Sequence, residues 1–303
     1  MNNLVVILGP TASGKSDLSV KLAKKFRGEI ISADSRQVYK GLNIGSGKIT
    51  KKEMRGVSHH LINIANPKNK FTVAQFQKSA FKKIKIIQNR GHVPFLVGGT
   101  GFYIQSVVDE VEIPEVKPNW KLRKKLEKKP EDELFLMLKK LDPKRAIIID
   151  KKNPRRLIRA IEIVKTTGKP VPKTSLHTQV CKDVLQIGIK KSPKTLKKLI
   201  RKRLIKRLNQ GMVTEVRKLR RQGLSWKRLE ELGLEYRFIA QYLQEKITYQ
   251  QMIERIQKES EHFAKRQMTW FKKDKRINWI KSRKQEEGLV KTFCLSSHRL
   301  SRH

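Results

Sequence analysis

Short apolar runs alternate with helix-period segments through the first third of the chain. Leu4–Leu8 reads as a buried strand, Ser16–Phe26 as a helix, Glu29–Ala33 as a second strand, Val73–Arg90 as a helix and Val93–Val97 as a third strand. Brief apolar runs separated by amphipathic helical stretches are the βαβ rhythm of a parallel sheet covered by helices. Gly91 supplies a stop for the longer helix. Pro94 falls near the start of its strand, where a missing N–H does least harm.

From Pro114 the texture changes. Lysine-rich helical stretches, Trp120–Lys129, Glu131–Leu141 and Pro154–Thr166, are punctuated by Pro118, Pro130, Pro143 and the Gly168-Lys169-Pro170 turn, with no strand-like segment between them. Val184–Ile189 then reads as another buried strand. Thr195–Gln210, Val213–Arg221 and Thr248–Phe271 follow as long amphipathic helices, and Ser296–His303 reads as a frayed end. The pattern predicts an α/β core in two parts, residues 1–116 and 179–303, interrupted by a mostly helical, basic insertion at 117–178.

Charge changes this picture most. The 303 residues carry 70 Lys plus Arg against 27 Asp plus Glu, a formal net charge of +43, while 38% hydrophobic residues suffice for a sizeable core. Such an excess points to a polyanionic partner. Leu4–Leu8 is far shorter than the ~20 residues of a membrane-spanning helix, and no secretory signal pattern is visible. Cys181 and Cys294 are too few for a disulfide framework, so a reducing cytoplasm is the expected location. Residues 117–221 hold 34 basic and 9 acidic side chains, against 18 and 8 before them and 18 and 10 after. A nucleic acid is therefore expected along the middle, although a lysine excess can also be compositional drift.

The first chemistry-bearing motif is Gly9-Pro10-Thr11-Ala12-Ser13-Gly14-Lys15-Ser16, which matches G-x-x-x-x-G-K-[ST] directly after a strand and at the opening of a helix. Backbone N–H groups and the helix dipole would converge there on phosphate oxygens. Lys15 would neutralise the terminal phosphate and the Ser16 hydroxyl would ligate Mg²⁺. The expected fold class is accordingly a P-loop NTPase-like parallel sheet core with a helical insertion. Nucleoside triphosphates and prenyl diphosphates both satisfy such a loop. Val93–Val97 runs into Gly98-Gly99-Thr100-Gly101 without an acid, which argues against a nucleotide-hydrolysing motor.

Glu29–Ala33 leads into Asp34-Ser35-Arg36-Gln37-Val38-Tyr39, which puts a carboxylate at the carboxyl edge of the sheet, where ligands of open α/β sheets bind. Asp34 there is either a turn-capping residue or a general base. His59 and His60 have no carboxylate or cysteine cluster accompanying them and read as structural or as substrate-side contacts rather than as a metal site. Trp226, Trp270 and Trp279 read as helix-packing residues; Trp270 sits where aromatics and cations alternate, as in single-strand binders.

The strings GPTASGKS, ISADSRQVYKGLNIG, VGGTGFY, NPRRLIRAIE and AKRQMTWFK, in this order from residue 4 to about 272, resemble the tRNA dimethylallyltransferases (tRNA isopentenyltransferases). The resemblance implies transfer of a dimethylallyl group from dimethylallyl diphosphate to the exocyclic amine of the adenine 3′ of the anticodon. It makes Asp34 the general base, Gly9–Ser16 the diphosphate cradle, Arg203 a cation on the far side of the diphosphate, and Thr100 a substrate contact. It makes Asp34, Ser35, Arg36, Gln37, Thr100, Arg123, Arg155, Arg156, Arg159, Arg266 and Gln267 contacts of the tRNA. It implies Mg²⁺ as cofactor on Ser16, with the tRNA anticodon stem-loop and dimethylallyl diphosphate as partners, no membrane, and a monomeric enzyme. The chain departs from the family pattern at Ser16, Arg155, Ser46-Gly47-Lys48 and the spacing of Gly233-Leu234-Glu235-Tyr236-Arg237. An adenylate isopentenyltransferase shares the loop and Asp motif, but would have little use for the basic middle. A small-molecule kinase of the same fold is the reading from another class.

Overall fold

The computed structural model describes residues 3–172, 183–280 and 283–299. Cys181, the end of the expected insertion at 173–178 and the last four residues lie outside them. The chain forms two compact units, Met1–Val108 with Gln179–His303, and Asp109–Thr178.

The first unit opens with β1 (Asn3–Leu8), α1 (Lys15–Lys25), β2 (Gly28–Ala33), α2 (Lys51–Met54), β3 (His59–His60), α3 (Val73–Asn89), β4 (Val93–Gly98) and α4 (Gly101–Val108). The second unit contains α5 (Trp120–Leu126), α6 (Glu131–Leu141), α7 (Pro143–Ile148) and α8 (Pro154–Thr167). The first unit then resumes with β5 (Asp183–Ile189), α9 (Pro193–Asn209), α10 (Met212–Arg221), α11 (Trp226–Glu231), α12 (Leu234–Leu243), α13 (Tyr249–Phe271), β6 (Asn278–Ile280) and α14 (Arg283–Arg299).

Six strands form one parallel sheet in the order β3-β2-β4-β1-β5-β6. Because successive strand residues face opposite sides, β1 divides itself between two cores. Leu4, Val6 and Leu8 pack with Phe76, Ala80, Ile84 and Ile87 of α3 and with Tyr103, Ile104 and Val107 of α4. Val5 and Ile7 pack with Val20, Leu22 and Ala23 of α1 and Val290 of α14. A third cluster, Val38, Tyr39 and Leu42 with side chains of α9 through α13, fixes the chain that leaves β2. The second unit has its own core, in which Leu126, Leu134 and Leu138 meet Leu157, Ile158 and Ile161.

Several sequence expectations need correction. Trp279 lies in β6 rather than in a helix, its ring against the bare face of Gly188. β3 and β6 are too short to leave an apolar run. Residues 296–299 continue α14 instead of fraying. The second unit begins at Asp109, eight residues before the expected 117, and so gains Asp109, Glu110, Glu112 and Glu115. It carries 19 basic and 11 acidic side chains. Just over half of the cationic excess of residues 117–221 falls on the first unit, where α9 has eight Lys and Arg and no acid.

Candidate active site at the carboxyl edge of the sheet

β1 delivers Gly9–Ser16 to the carboxyl edge of the sheet. Gly9 turns at φ +151° where a Cβ would stand 2.7 Å from the Ile189 carbonyl, and Gly14 at φ +95° hands the chain to α1. Lys15 Nζ donates to the Pro10 carbonyl at 2.6 Å, folding over its own loop. Among the described residues the buried Ser13 hydroxyl has no hydrogen-bond partner, in a loop whose pattern is that of a phosphate cradle.

Two later elements clamp this loop. Arg203 of α9 donates to Thr11 Oγ1 at 2.6 Å. Gln267 of α13 accepts from the Thr11 amide at 2.8 Å and donates to the Gly99 carbonyl at 2.7 Å, tying the ends of β1 and β4 together. Both ends of its buried amide are thus spent inside the protein, an assignment the AKRQMTWFK string could not show. Trp270, one turn on, packs beside Gly101 and edge-on to Phe102.

Asp34 follows β2. Its Oδ1 accepts from the Arg36 amide at 2.8 Å and the Gln37 amide at 3.3 Å, a side-chain turn that presents Ser35–Gln37 along the cavity. Thr100 Oγ1 accepts from the Ser35 amide at 3.1 Å and the Thr100 amide donates to the Ala33 carbonyl at 3.3 Å, so β2 and β4 hold this segment from two sides. The close approach requires Gly98, whose Cβ would lie 2.1 Å from the Ala33 carbonyl oxygen.

Thr11, Lys15, Ser16, Asp34, Ser35, Arg36, Gln37, Thr100, Arg203, Arg266 and Gln267 all line one open cavity of about 340 Å³. Burial, with the nearby Arg203 charge, brings the Lys15 ammonium down to about 7 against a partial pull upward from Asp34. Burial and Arg207 bring Arg203 down to about 10. Two cations whose charge is made costly by burial and by neighbouring arginines are poised to receive an anion.

The wall opposite the loop was not legible in the motifs. Glu215 of α10 accepts from the Asn43, Ile44 and Gly45 amides at 2.9, 2.7 and 3.0 Å and from the Tyr236 hydroxyl at 2.9 Å, while Tyr236 accepts from the Ser46 amide. Arg207, one helical turn beyond Arg203, is buried against Gly47 and donates to the Gly45 carbonyl. Its i,i+4 spacing from Arg203, which puts both on one face of α9, is a sequence signal that was not read. Lys48 donates to the Tyr39 carbonyl at 2.7 Å, and burial lowers it to about 8 despite Glu215 and Asp34.

At the opposite end of β2 the premise that no carboxylate accompanies His60 is corrected, while the reading of it as a structural residue is kept. A carboxylate does accompany it: Glu29 accepts from His60 Nε2 at 2.6 Å and His92 Nδ1 at 2.8 Å. Burial would raise Glu29, and these two hydrogen bonds outweigh it, leaving the carboxyl below its usual range. Among the described residues no group of three His, Cys, Asp or Glu could hold a metal ion.

Arg123, Arg155, Arg156 and Arg159 belong to the second unit. Arg155 and Arg156 are exposed in the first turn of α8, which Asn153 caps. Arg123 and Arg159 converge on the buried Glu162.

A phosphate-binding loop after β1 of a parallel sheet, with a carboxylate after β2, two places along the sheet, and both lining one cavity, defines a P-loop α/β protein. A family model described as IPP transferase matches residues 37–274. The chain is 41% identical over 290 residues, 93% of both chains, to the tRNA dimethylallyltransferase of Carboxydothermus hydrogenoformans, and 40% identical to that of Anoxybacillus flavithermus over 91% of this chain and 89% of the relative. It superposes along its whole length, and that of its counterpart, on the crystal structure of the tRNA isopentenylpyrophosphate transferase from Bacillus halodurans, with TM-score 0.73 and 34% identity. A eukaryotic dimethylallyltransferase acting on tRNA superposes with TM-score 0.76 and 28% identity, over 89% of this chain and 70% of that one. The chain belongs to the IPP transferase family.

Proposed function

We propose that the protein is a tRNA dimethylallyltransferase that moves the dimethylallyl group of dimethylallyl diphosphate to the exocyclic amine of the adenine 3′ of the anticodon, releasing diphosphate. One observation carries this reading: a single cavity sets a phosphate cradle with two anion-ready cations, Lys15 and Arg203, against the carboxylate of Asp34.

The donor diphosphate would lie in the Gly9–Ser16 loop on the amides of Gly14, Lys15 and Ser16 at the opening of α1, with the Lys15 ammonium on one side and Arg203 on the other. The amine nitrogen forms a bond to the first carbon of the dimethylallyl group as that carbon's bond to the diphosphate oxygen breaks, and the amine proton passes to Asp34. Lys15 and Arg203 take up the charge that develops on the leaving group. The adenine reaches this depth flipped out of the anticodon loop. Arg36 and Arg266 at the cavity, and Arg123, Arg155, Arg156 and Arg159 of the second unit, would hold the RNA.

Mg²⁺ fits the site. It binds by one or two protein oxygens together with substrate phosphates, so no protein-only ligand cluster is needed. Ser16 lines the cavity and would hold it, in the same loop whose buried Ser13 hydroxyl has no hydrogen-bond partner among the described residues. When bound, Mg²⁺ supplies further charge neutralisation on the diphosphate. A tRNA substrate accords with a cytoplasmic location, and among the described residues no helix is long and apolar enough to cross a membrane.

The test is to incubate the protein with Mg²⁺, dimethylallyl diphosphate and unmodified tRNA, with AMP as a competing acceptor, and to weigh the digested nucleosides. One dimethylallyl group on one tRNA adenosine is expected. Prenylated AMP, or phosphate transfer from ATP in a parallel reaction, would overturn the reading.

A further inference from the structure

Glu162 is wholly buried on α8, and four donors converge on it. Its Oε1 accepts from the Asn119 amide at 2.7 Å and from Arg123 Nε at 2.8 Å, and its Oε2 from Arg123 Nη2 at 2.6 Å and Arg159 Nη1 at 2.5 Å. Burial would raise its carboxyl, yet these bonds outweigh that and hold it below the usual range, so it is anionic at neutral pH.

One carboxylate thus serves two guanidinium groups and leaves one positive charge over. Arg123 is gripped along one edge in the two-toothed geometry that fixes the plane of a guanidinium. The face of its plane lies over the Trp120 ring, 5.3 Å from the centroid. Among the described residues Arg123 Nη1 has no hydrogen-bond partner, and the side chain stays 23% exposed. Arg159, 33% exposed, also donates to the Val116 carbonyl at 3.1 Å through Nη1 and to the Pro114 carbonyl at 3.5 Å through Nη2, which leaves its Nε–H unengaged among the described residues. Two long cations that would otherwise sample many rotamers are therefore held in one arrangement with donors left for an acceptor outside.

We infer that Glu162 is a positioning residue for RNA binding: it orients Arg123 and Arg159 as a pre-formed receptor for phosphate oxygens. The inference rests on the tRNA reading above. It goes beyond that reading in assigning the affinity of the second unit to a buried anion, which a simple count of charge would score as unfavourable for binding a polyanion.

That opposition of sign gives the test. Glu162→Gln raises the net charge by one, so a diffuse field predicts equal or tighter binding of unmodified tRNA. Positioning predicts a loss of about tenfold in tRNA affinity, with a matching rise in KM for tRNA, while kcat at saturating tRNA and KM for dimethylallyl diphosphate stay within about twofold. Circular dichroism and thermal melting verify that the variant is folded. Should Glu162→Gln not fold, Glu162→Asp reads the same property, since it keeps the charge but draws the carboxylate back by one methylene, and an affinity loss of about three- to fivefold is expected. Unchanged or tighter binding by a folded variant would overturn the inference. Wild-type protein that binds no tRNA would overturn the proposed function instead.

Discussion

Asp34 accepts hydrogen bonds from the Arg36 and Gln37 amides through Oδ1, so Asp34→Ala disturbs a turn as well as removing a carboxylate. Asp34→Asn separates the two, because an amide oxygen can still accept both bonds while the side chain no longer takes a proton. Steady-state kinetics of this variant should show kcat lower by about 10²–10⁴-fold, with tRNA affinity and melting temperature near wild type. Undiminished turnover would remove Asp34 from the chemistry. Lys15 offers a second test. Burial and Arg203 bring its ammonium down to about 7, and a diphosphate beside it would restore the charged form. Above pH 7 binding must therefore take up a proton, so diphosphate affinity should fall as pH rises from about 7 towards 10 and level off below. Calorimetry at pH 8 in buffers of different ionisation enthalpy reads the proton directly. For stability the sign is opposite: between the folded and unfolded values the unfolded chain binds more protons, so Lys15 favours folding increasingly as pH rises through that window.

At the scale of elements, β2 and β4 meet so closely beyond Ala33 that Gly98 cannot carry a Cβ. Gly98→Ala should cost about 2–3 kcal/mol in denaturant unfolding and, by parting the two strands, weaken the Thr100–Ser35 hydrogen bond that supports Asp34. A variant as stable as wild type would show that the strands yield. The strands β1, β2, β4 and β5 were legible because each is apolar on both faces and long enough to show it, and the loop was legible because phosphate binding dictates its residues locally. β3 and β6 were not, since two or three residues carry no period and the sheet recruits them by pairing alone. Glu215, Tyr236, Arg207 and Glu162 escaped for a related reason. Each is an ordinary polar residue on a helix, and only tertiary packing shows that three backbone amides, or two arginines, end on it.

Over the whole molecule the position of charge matters more than its total. Lys194, Lys197, Lys198, Arg201, Lys202 and Lys206 are exposed on α9, whereas Arg203 and Arg207 of the same helix turn inward. Changing Lys197, Lys198, Arg201 and Lys202 together to Gln should flatten the salt dependence of tRNA binding more than changing exposed Lys51, Lys52, Lys82 and Lys85, by at most about one unit of slope for each phosphate no longer neutralised. Binding titrations at several salt concentrations measure this, and equal effects from the two sets would mean that the excess acts as a diffuse field.

The order of strands has a consequence for how the molecule is made. β1 leaves the ribosome first, yet one of its two neighbours in the sheet, β5, is synthesised some 180 residues later. Until then β1 has an unpaired edge in the middle of the future sheet, while the second unit, whose core is formed from its own residues, can fold during the wait. The cradle is finished later still, because Arg203 and Gln267 reach Thr11 across 192 and 256 residues. Contacts so distant in sequence make for slow acquisition of the native state. The nascent chain can hold neither donor nor acceptor in working geometry until the residues up to Gln267 have been translated.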